Sequence, residues 1–193
     1  MKLPVLLLAY NRPKETKKIL DYLVKMKVEK IFISIDGAKK TKKDKDSLKK
    51  IELVLNKFTN KNFFINRLDK NFGCKIAVQK GIDWFFNNVK KGIILEDDCI
   101  PSKSFFFFCE KMLKKYHNSD VKVISGNNFL KNQINVDNHY YFSKFNHCWG
   151  WATWKDAWLL YDGQLKNWEQ FKNSKRWNKF FKNSVHKIYW EKI

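Results

Sequence analysis

Short apolar runs of strand length alternate with helical patterns through the first two-thirds of the chain, and this alternation restricts the fold more than any other feature. The strand-like runs are residues 3–9, 31–35, 62–66, 92–95 and 121–125. Between the runs, apolar residues recur every three or four positions, as at Ile19, Leu20 and Leu23. Asn11 is a candidate cap for the first helix, and Pro13 suits its first turn. This rhythm predicts an α/β fold with a Rossmann-like, mostly parallel sheet and helices on both faces.

Polar residues follow three of these strands at the point where each one ends. They are Asn11-Arg12, Asp36-Gly37 and Glu96-Asp97-Asp98. Because ligands of parallel α/β sheets bind beyond the carboxyl ends of the strands, we expect these segments to converge on one site. Two of them also have simpler interpretations: Asp36-Gly37 would be a plain turn, and Arg12 would pair with a surface acid.

The three consecutive acids Glu96, Asp97 and Asp98 come directly after a buried strand. Acids placed there repel one another and lose hydration, which a divalent cation would offset. Mg²⁺ and Mn²⁺ prefer carboxylate oxygens together with phosphate oxygens and water. A solvated acidic turn before the helix that starts near Ser102 is the alternative interpretation. The sequence contains neither a P-loop nor a Gly-x-Gly-x-x-Gly segment, so a cation would have to stabilise any phosphates bound here.

The net charge of +20 raises the question of a nucleic-acid partner. Only Arg12, Arg67 and Arg176 are arginines, and the lysines are spread along the whole chain. Since bidentate recognition of phosphates and bases relies on arginine, we expect no nucleic-acid partner. A basic surface equally suits anionic substrates or an anionic membrane. The Lys- and aromatic-rich stretch beyond Trp168 would either lie at such a membrane or pack on the domain with its lysines in solvent.

At 193 residues, with 44% hydrophobic residues, the chain is long enough for one domain with a real core. No apolar run approaches the ~18 residues of a membrane span, and the N-terminus has no cleavable signal pattern. Cys74, Cys99, Cys109 and Cys148 form no Cys-x-x-Cys pair, which favours neither a zinc site nor a disulfide framework. We expect four reduced, mostly buried thiols and a protein of the cytoplasm or of the inner face of its membrane.

Four segments taken together resemble the GT-A family of glycosyltransferases. They are residues 4–13 (PVLLLAYNRP), 33–37 (ISIDG), 73–86 and 93–101 (IILEDDCIP). The resemblance covers roughly residues 3–160. Within the family, the chain is similar in particular to N-acetylglucosaminyltransferase I and to bacterial surface-polysaccharide enzymes with an EDD motif. It implies a GT-A fold and an inverting, metal-dependent transfer of a hexosyl or N-acetylhexosaminyl group from a nucleotide sugar, expected to be a UDP-sugar. The acceptor would be a glycan or a lipid-linked saccharide.

The resemblance also implies roles for individual residues. Asp98 would bind Mn²⁺ or Mg²⁺, while Glu96 and Asp97 would contact the donor sugar and the ribose. Arg12 and Asp36 fall where the family holds the uracil base.

Four further positions complete the expected site. Asn11 lies beside Arg12 at the nucleotide, and Lys75 stands where the animal enzyme has a histidine near it. Gly150 and Trp151 belong to a Gly-Trp segment close to the donor sugar and the acceptor. We expect residues 1–126 to form a donor-binding subdomain and residues 127–193 an acceptor-side subdomain, within one structural domain.

The catalytic base is not identified by the resemblance. The family's base lies in a segment that aligns with residues 125–129, and this segment contains no acid here. Asp137, Asp156, His147 and Glu169 are candidate substitutes. Relatives continue beyond the last residue of this chain, so we expect the acceptor side to be truncated and the base to be a substitute or to lie in the missing part.

Two other classes of protein remain as alternatives. A sugar-nucleotide pyrophosphorylase-like enzyme would also use an α/β sheet and Mg²⁺, but such enzymes place a Gly-rich, Arg-containing loop where this chain has residues 9–13 (AYNRP). The other alternative is a non-catalytic basic module that binds nucleic acid or nucleotides. A salt-dependent affinity for DNA or RNA above that for UDP-sugars would favour it.

Overall fold

The computed structural model describes residues 1–129 and 140–192, and the chain divides into two compact units, Met1–Leu160 and Tyr161–Ile193. The expected division into residues 1–126 and 127–193 within one domain stays a prediction. Among the described residues, no helix is both long enough and apolar enough to cross a lipid bilayer.

The first unit contains one sheet and the helices that cover it. Its elements are β1 (Val5–Ala9), α1 (Pro13–Lys25), β2 (Ile31–Ile35), α2 (Lys42–Leu55), β3 (Phe63–Arg67), α3 (Gly73–Asn88), β4 (Lys91–Glu96), α4 (Lys103–Lys115), β5 (Ile124–Ser125), β6 (Trp151–Trp154) and α5 (Lys155–Trp158). The strands lie in the order β3-β2-β1-β4-β6-β5. Strands β1 to β4 are parallel, whereas β6 runs antiparallel to both β4 and β5. The predicted α/β fold with a mostly parallel sheet is confirmed.

Strand β1 lies at the point where the strand order reverses. The chain builds β2 and β3 on one side of β1 and then returns to its other side with β4. Leu8 of β1 is in register with Ser34 of β2 and with Glu96 of β4, so the three strands end at the same edge. Open α/β sheets bind ligands in the crevice at such a reversal, beyond the carboxyl ends of the strands.

Alternate side chains of β1 enter two different hydrophobic layers. Val5, Leu7 and Ala9 pack in one cluster with residues of α1, α2 and α4, while Leu6 and Leu8 pack in a second cluster with residues of α3. Helices therefore cover both faces, as predicted. Burying a leucine side chain completely stabilises the folded state by about 1.5–3 kcal/mol. These two layers therefore hold the strands, and with them the strand ends, in fixed positions.

The start of α1 differs from the prediction. Arg12, not Asn11, occupies the N-cap position, and Pro13 lies in the first turn as expected. The predicted capping role of Asn11 is wrong because its side-chain amide donates instead to Asp44 Oδ1 at 2.9 Å.

Two further expectations need correction. Only Cys109 is buried; Cys99 is half-buried, and Cys74 and Cys148 are exposed, so the prediction of mostly buried thiols is wrong. The aromatic run at residues 151–154, in which no strand was predicted, pairs with β4 as strand β6. Its Ala152 and Trp154 are buried in the cluster beneath α4.

The second unit consists of short helices around aromatic rings. They are α6 (Trp168–Lys172), α7 (Lys175–Phe180) and α8 (Ser184–Glu191). Trp177 and Phe181 are buried, with ring centroids 4.6 Å apart, and the rings of Trp168 and Phe171 meet Trp177 edge-on at 5.4 and 5.6 Å. Edge-to-face contacts of this kind add to the hydrophobic stabilisation of a small unit.

Candidate functional site

Glu96-Asp97-Asp98, called the acidic loop below, leaves β4 in a tight turn. Glu96 is the last residue of β4, and its carbonyl oxygen accepts from the backbone amide of Cys99 at 3.0 Å. The backbone amide of Tyr10, the first residue after β1, donates to Asp97 Oδ2 at 3.2 Å. The ends of β1 and β4 are thus tied together, and the acidic loop is held where the strand order reverses.

One guanidinium group bridges two acids of this loop. Arg12 Nη1 donates to Asp97 Oδ1 at 2.9 Å and to Asp98 Oδ2 at 2.5 Å. The Asp97 side chain is 8% exposed, whereas those of Arg12 and Asp98 are 49% and 50% exposed. In the described part of the chain, three neighbouring carboxylates therefore share one paired cation, and negative charge remains uncompensated.

The carboxyl pKa values in this loop reflect burial first and the neighbouring charges second. Burial raises the pKa of Glu96, and the charges of Asp98 and Asp97 raise it further. Burial also raises the pKa of Asp97, although the Tyr10 amide and Arg12 oppose it. For Asp98, burial is outweighed by the hydrogen bond and the charge of Arg12, so its pKa is lowered. A second cation beside Glu96 and Asp97 would be electrostatically favoured.

Asp36 directly follows β2, and both of its carboxylate oxygens accept hydrogen bonds from other groups of the chain. Oδ1 accepts from the backbone amides of Gly37 and Phe72, both at 2.9 Å. Oδ2 accepts from Asn71 Nδ2 at 2.9 Å and from the Gly73 amide at 3.1 Å. A Cβ atom on Gly37 would clash with the backbone of Lys70, so only glycine fits beside this contact. Asp36 therefore fixes the loop that precedes α3.

Asp44 plays a similar part in the first turn of α2. Its carboxylate accepts from the Tyr10 hydroxyl, from Asn11 Nδ2 at 2.9 Å and from the Lys39 amide at 2.7 Å. Its own amide donates to Thr41 Oγ1 at 3.3 Å, which caps α2. These bonds join the loop after β1 to the loop after β2. Burial and the hydrogen bond to Asp44 raise the pKa of Tyr10 to about 12, so its hydroxyl stays protonated.

A cavity of about 290 Å³, called the smaller cavity below, opens between the ends of β1 and β2, the start of α3 and the acidic loop. Five predicted site residues line it: Asn11, Arg12, Asp36, Glu96 and Asp97. Leu8, Ala77 and Val78 supply apolar surface to the same cavity. The expected convergence of the three strand ends is therefore found.

A larger cavity of about 530 Å³ lies on the other side of the acidic loop. Its lining includes Asp98, Asn127, Trp149 and Gly150. Gly150 has a φ of +76°, a conformation that residues with a side chain rarely adopt. The acidic loop thus separates two cavities: Glu96 and Asp97 line the smaller, and Asp98 lines the larger.

The residues present fit a divalent cation held together with a ligand. Among the described residues, no three His, Cys, Asp or Glu side chains are arranged to hold a metal ion by themselves. Mg²⁺ is commonly bound by one or two carboxylates together with phosphates and water, and the half-exposed carboxylate of Asp98 meets that need. Burial, assisted by the charge of Asp98, raises the pKa of its neighbours Glu96 and Asp97.

Other predicted residues lie apart from these cavities. Lys75 is exposed on α3, and the cavity linings do not include it. Trp151 also lies outside both linings; its ring packs in the second hydrophobic cluster, 6.4 Å from Trp158. The exposed aromatic residue of the larger cavity is its neighbour Trp149.

The candidate bases are scattered. His147 is half-buried, with its ring 4.7 Å from that of Phe129. Asp156 is exposed on α5, and Glu169 is exposed in the second unit. Asp137 lies outside the described residues. None of the first three lines the larger cavity beside Asp98.

Sequence reasoning missed Asp44, Asn71 and Asn127, and from the tryptophan-rich run at residues 149–154 it chose Trp151 rather than Trp149. For Asp44 a signal was present, because Thr41 followed three residues later by an acid is the pattern of a helix start. The contacts of Asn71 depend on the folded loop and have no signature in the sequence.

No protein-family model matches the chain, and no curated protein matches it. Solved structures do match. The mannosyltransferase PcManGT from Pyrobaculum calidifontis, in complex with GDP-Man and Mn²⁺, matches with a TM-score of 0.57 and 10% identity, over 81% of this chain and 46% of its own. HddC from Yersinia pseudotuberculosis, complexed with GMP-PN, matches with a TM-score of 0.51 and 13% identity, over 82% of this chain and 80% of its own.

At such low identity these matches show the fold alone. The chain has the α/β fold of the nucleotide-diphospho-sugar transferases, as predicted. It spans 46% of the length of the mannosyltransferase.

Proposed function

We propose that this chain binds a nucleoside diphosphate sugar together with a divalent cation and forms the donor-binding part of a glycosyltransferase. The observation that carries the proposal is the position of the acidic loop between two cavities, at the reversal of the strand order. A nucleotide sugar that places its nucleoside in the smaller cavity and its sugar in the larger one brings its diphosphate past Asp97 and Asp98.

The smaller cavity has the chemistry of a nucleoside site. Leu8, Ala77 and Val78 offer an apolar surface to a planar base, and the carboxylates of Glu96 and Asp97 can accept from ribose hydroxyls. Both oxygens of Asp36 already accept hydrogen bonds from the chain. Its part in nucleotide binding is then to hold the loop before α3 in place rather than to read the base.

Asp98 is the residue we assign to Mn²⁺ or Mg²⁺. A bound cation would stabilise the negative charge that develops on the leaving diphosphate. Arg12 lies within hydrogen-bonding distance of Asp97 and Asp98 and reaches the same place. With a cation bound at Asp98, the Arg12 guanidinium would remain paired with Asp97 and could donate to a phosphate oxygen.

The expected donor is a UDP-sugar, and the expected acceptor is a glycan or a lipid-linked saccharide. The sugar is expected to be transferred with inversion of its anomeric centre. The fold is shared with a mannosyltransferase solved with GDP-Man and Mn²⁺, so guanosine donors belong in the test. The pyrophosphorylase alternative is less favoured because the loop after β1 is only Tyr10 to Arg12, and the Tyr10 amide already donates to Asp97.

The test is a thermal-shift and calorimetry panel of UDP, GDP, UDP-sugars and GDP-mannose, each with Mn²⁺, with Mg²⁺ and with a chelator. We expect one nucleotide and the metal together to raise Tm. At a hundredfold excess of ligand over Kd, the free energy of unfolding should increase by about 2.7 kcal/mol. Stabilisation that survives the chelator would contradict the metal role. Release of pyrophosphate from a nucleoside triphosphate and a sugar phosphate would favour the pyrophosphorylase alternative. Binding of DNA or RNA that is tighter than binding of the nucleotide sugars would favour the basic binding module.

We also propose that the second unit associates with an anionic membrane surface. Residues 161–192 contain eight lysines and arginines against three acids. Val185 and Ile188, one turn apart on α8, are 67% and 49% exposed, and Tyr189 beside them is 52% exposed. A helix with exposed apolar residues among lysines is typical of interfacial binding to anionic lipid.

Sedimentation with phosphatidylglycerol vesicles tests this association, with phosphatidylcholine vesicles as the comparison. We expect binding to the anionic vesicles that falls with salt and drops about tenfold in the double variant Val185→Ser, Ile188→Ser. Val24 and Leu53, exposed apolar residues of the first unit, give the matched control pair Val24→Ser, Leu53→Ser. Equal losses in both pairs, or equal binding to neutral vesicles, would contradict the proposal.

A further inference from the structure

Trp149 stands out among the tryptophans of the first unit because the residue is 59% exposed at the wall of the larger cavity. Its neighbours differ: Trp154 is 6% exposed, and Trp151 packs in a hydrophobic cluster. Tryptophan normally buries its large apolar surface, so the fold does not need this ring in its exposed position.

The backbone holds Trp149 outward. The Gly150 amide donates to the Cys148 carbonyl at 3.0 Å, a tight turn centred on Trp149. The ring of Phe129 packs edge-on against that of Trp149, with centroids 5.6 Å apart. The indole is therefore placed at the cavity by a turn and by a packed neighbour.

Asn127 supplies the second observation. The Gly126 amide donates to the Gly150 carbonyl at 3.0 Å, which places Asn127 close to the Trp149 turn. Asn127 lines the larger cavity, and its Nδ2 is buried without a hydrogen-bond acceptor among the described residues. A buried amide donor without a partner destabilises the folded protein, and an oxygen brought in by a ligand would remove that cost.

From these two features we propose that the larger cavity is a saccharide site, in which a pyranose ring stacks its C–H face on Trp149 and one of its oxygens accepts from Asn127 Nδ2. A flat aromatic surface beside an amide donor matches a sugar, which has an apolar face and a rim of hydroxyls. Asp98 lines the same cavity, so the bound saccharide lies next to the residue assigned to the cation. Because the proposed function also places the donor sugar in this cavity, the role of the bound saccharide as donor sugar or acceptor rests on that function; the binding site itself does not.

Saturation-transfer NMR and calorimetry with methyl pyranosides of glucose, galactose, mannose and N-acetylglucosamine, and with cellobiose, test this site. We expect at least one probe to bind, with saturation strongest at the protons of its C–H face. Trp149→Ala and Trp149→Leu should each weaken binding about tenfold or more, the leucine variant keeping apolar bulk without a flat ring. Asn127→Ala should weaken it by a smaller factor.

Trp84→Phe is the matched control, because it changes another tryptophan of the first unit, which packs against the second hydrophobic cluster and lines neither cavity. It should bind the saccharide as the wild type does. Binding of none of the probes, or unchanged affinity in both Trp149 variants, overturns the proposal. Nucleotide stabilisation with Mn²⁺ is measured on the same variants: its absence in the wild type rejects the proposed function, while saccharide binding lost on Trp149 substitution still supports this site.

Discussion

Two pairs of aspartates near the same edge of the sheet have opposite surroundings. Asp36 accepts four hydrogen bonds, and the Asp44 carboxylate three, all from their own chain. Asp97 and Asp98 share the guanidinium of Arg12, one backbone amide reaches Asp97, and the Cys99 thiol donates weakly to Asp98 Oδ1 at 3.5 Å. A position at a strand end therefore does not by itself make an aspartate a ligand-binding residue. What distinguishes the pairs is how many donors the chain supplies.

The pKa values of one member of each pair express the same difference. Burial acts against ionisation of Asp44, but hydrogen bonds from Tyr10, the Lys39 amide and Asn11 outweigh it, and the pKa of Asp44 is lowered. Burial dominates at Asp97, and its pKa is raised. The chain stabilises the first carboxylate as an anion, whereas the second would gain from an additional cation.

The largest effect should come from removing Asp36. Asp36→Ala leaves the amides of Gly37, Phe72 and Gly73 without their acceptor, and each buried unsatisfied donor costs about 1–3 kcal/mol. We expect a loss of about 3–5 kcal/mol in the free energy of unfolding, measured by urea denaturation. Asp69→Ala, an exposed acid close by in the same loop, is the control and should change it by less than about 0.5 kcal/mol. Equal losses would mean that the four bonds to Asp36 contribute little.

Asp98→Ala should show the reverse pattern. Its pair with Arg12 is half exposed, so the free protein should lose no more than about 1 kcal/mol. We expect the stabilisation by nucleotide with Mn²⁺, about 2.7 kcal/mol at a hundredfold excess over Kd, to disappear in thermal-shift measurements. Nucleotide binding that persists with its metal dependence intact would reject Asp98 as the cation ligand.

Asp44 tests the comparison through pH. Its lowered pKa means that it contributes stability above the ordinary Asp range, near 3.9, and that the contribution is lost as pH falls through that range to the folded-state value. We expect Asp44→Asn to be less stable than the wild type by about 2 kcal/mol between pH 5 and 7, with the difference shrinking below about pH 4.

Urea titrations across this pH range measure the effect. Asp46→Asn, on the same helix and half-buried, is the matched control and should be less destabilised than Asp44→Asn at neutral pH. A pH-independent deficit in Asp44→Asn would show that packing, rather than the charge, is what the substitution removes.

The sequence predicted the part of the site that depends on strand ends. Asn11, Arg12, Asp36, Glu96 and Asp97 were expected to converge because parallel strands end at one edge, and all of them line the smaller cavity. The sheet was predicted from apolar runs and helical spacing. Both are local properties of the chain and can be recognised in a single sequence.

What the sequence could not supply depends on contacts between distant residues. The donors to Asp36 are mainly backbone amides, which every sequence has, so the count that separates Asp36 from Asp97 appears only in the folded loop. Strand β6 forms because Trp151 to Trp154 pairs with β4, about sixty residues earlier. The choice between Trp149 and Trp151 likewise follows from strand β6, in which Trp151 packs against the second hydrophobic cluster.

The smallest effect, and the sharpest contrast with Asp36, is expected at Glu96. Burial and the charges of Asp98 and Asp97 raise its pKa, so the folded state holds this proton more tightly than the unfolded state, and stability falls as pH rises through the carboxyl range. At neutral pH the ionised Glu96 therefore opposes folding. Glu96→Gln should raise the free energy of unfolding by about 0.5–1 kcal/mol while weakening nucleotide binding, the trade-off expected of a binding residue.

Urea denaturation and nucleotide titration with Mn²⁺ measure the two effects of Glu96→Gln on one preparation. Glu110→Gln removes an exposed carboxylate from α4 and should change neither quantity. If Glu96→Gln lowered stability, Glu96 would belong with Asp36 and Asp44 as a carboxylate that the fold itself requires. A gain in stability together with a loss of nucleotide binding would indicate that all three acids of the loop serve ligand binding rather than folding.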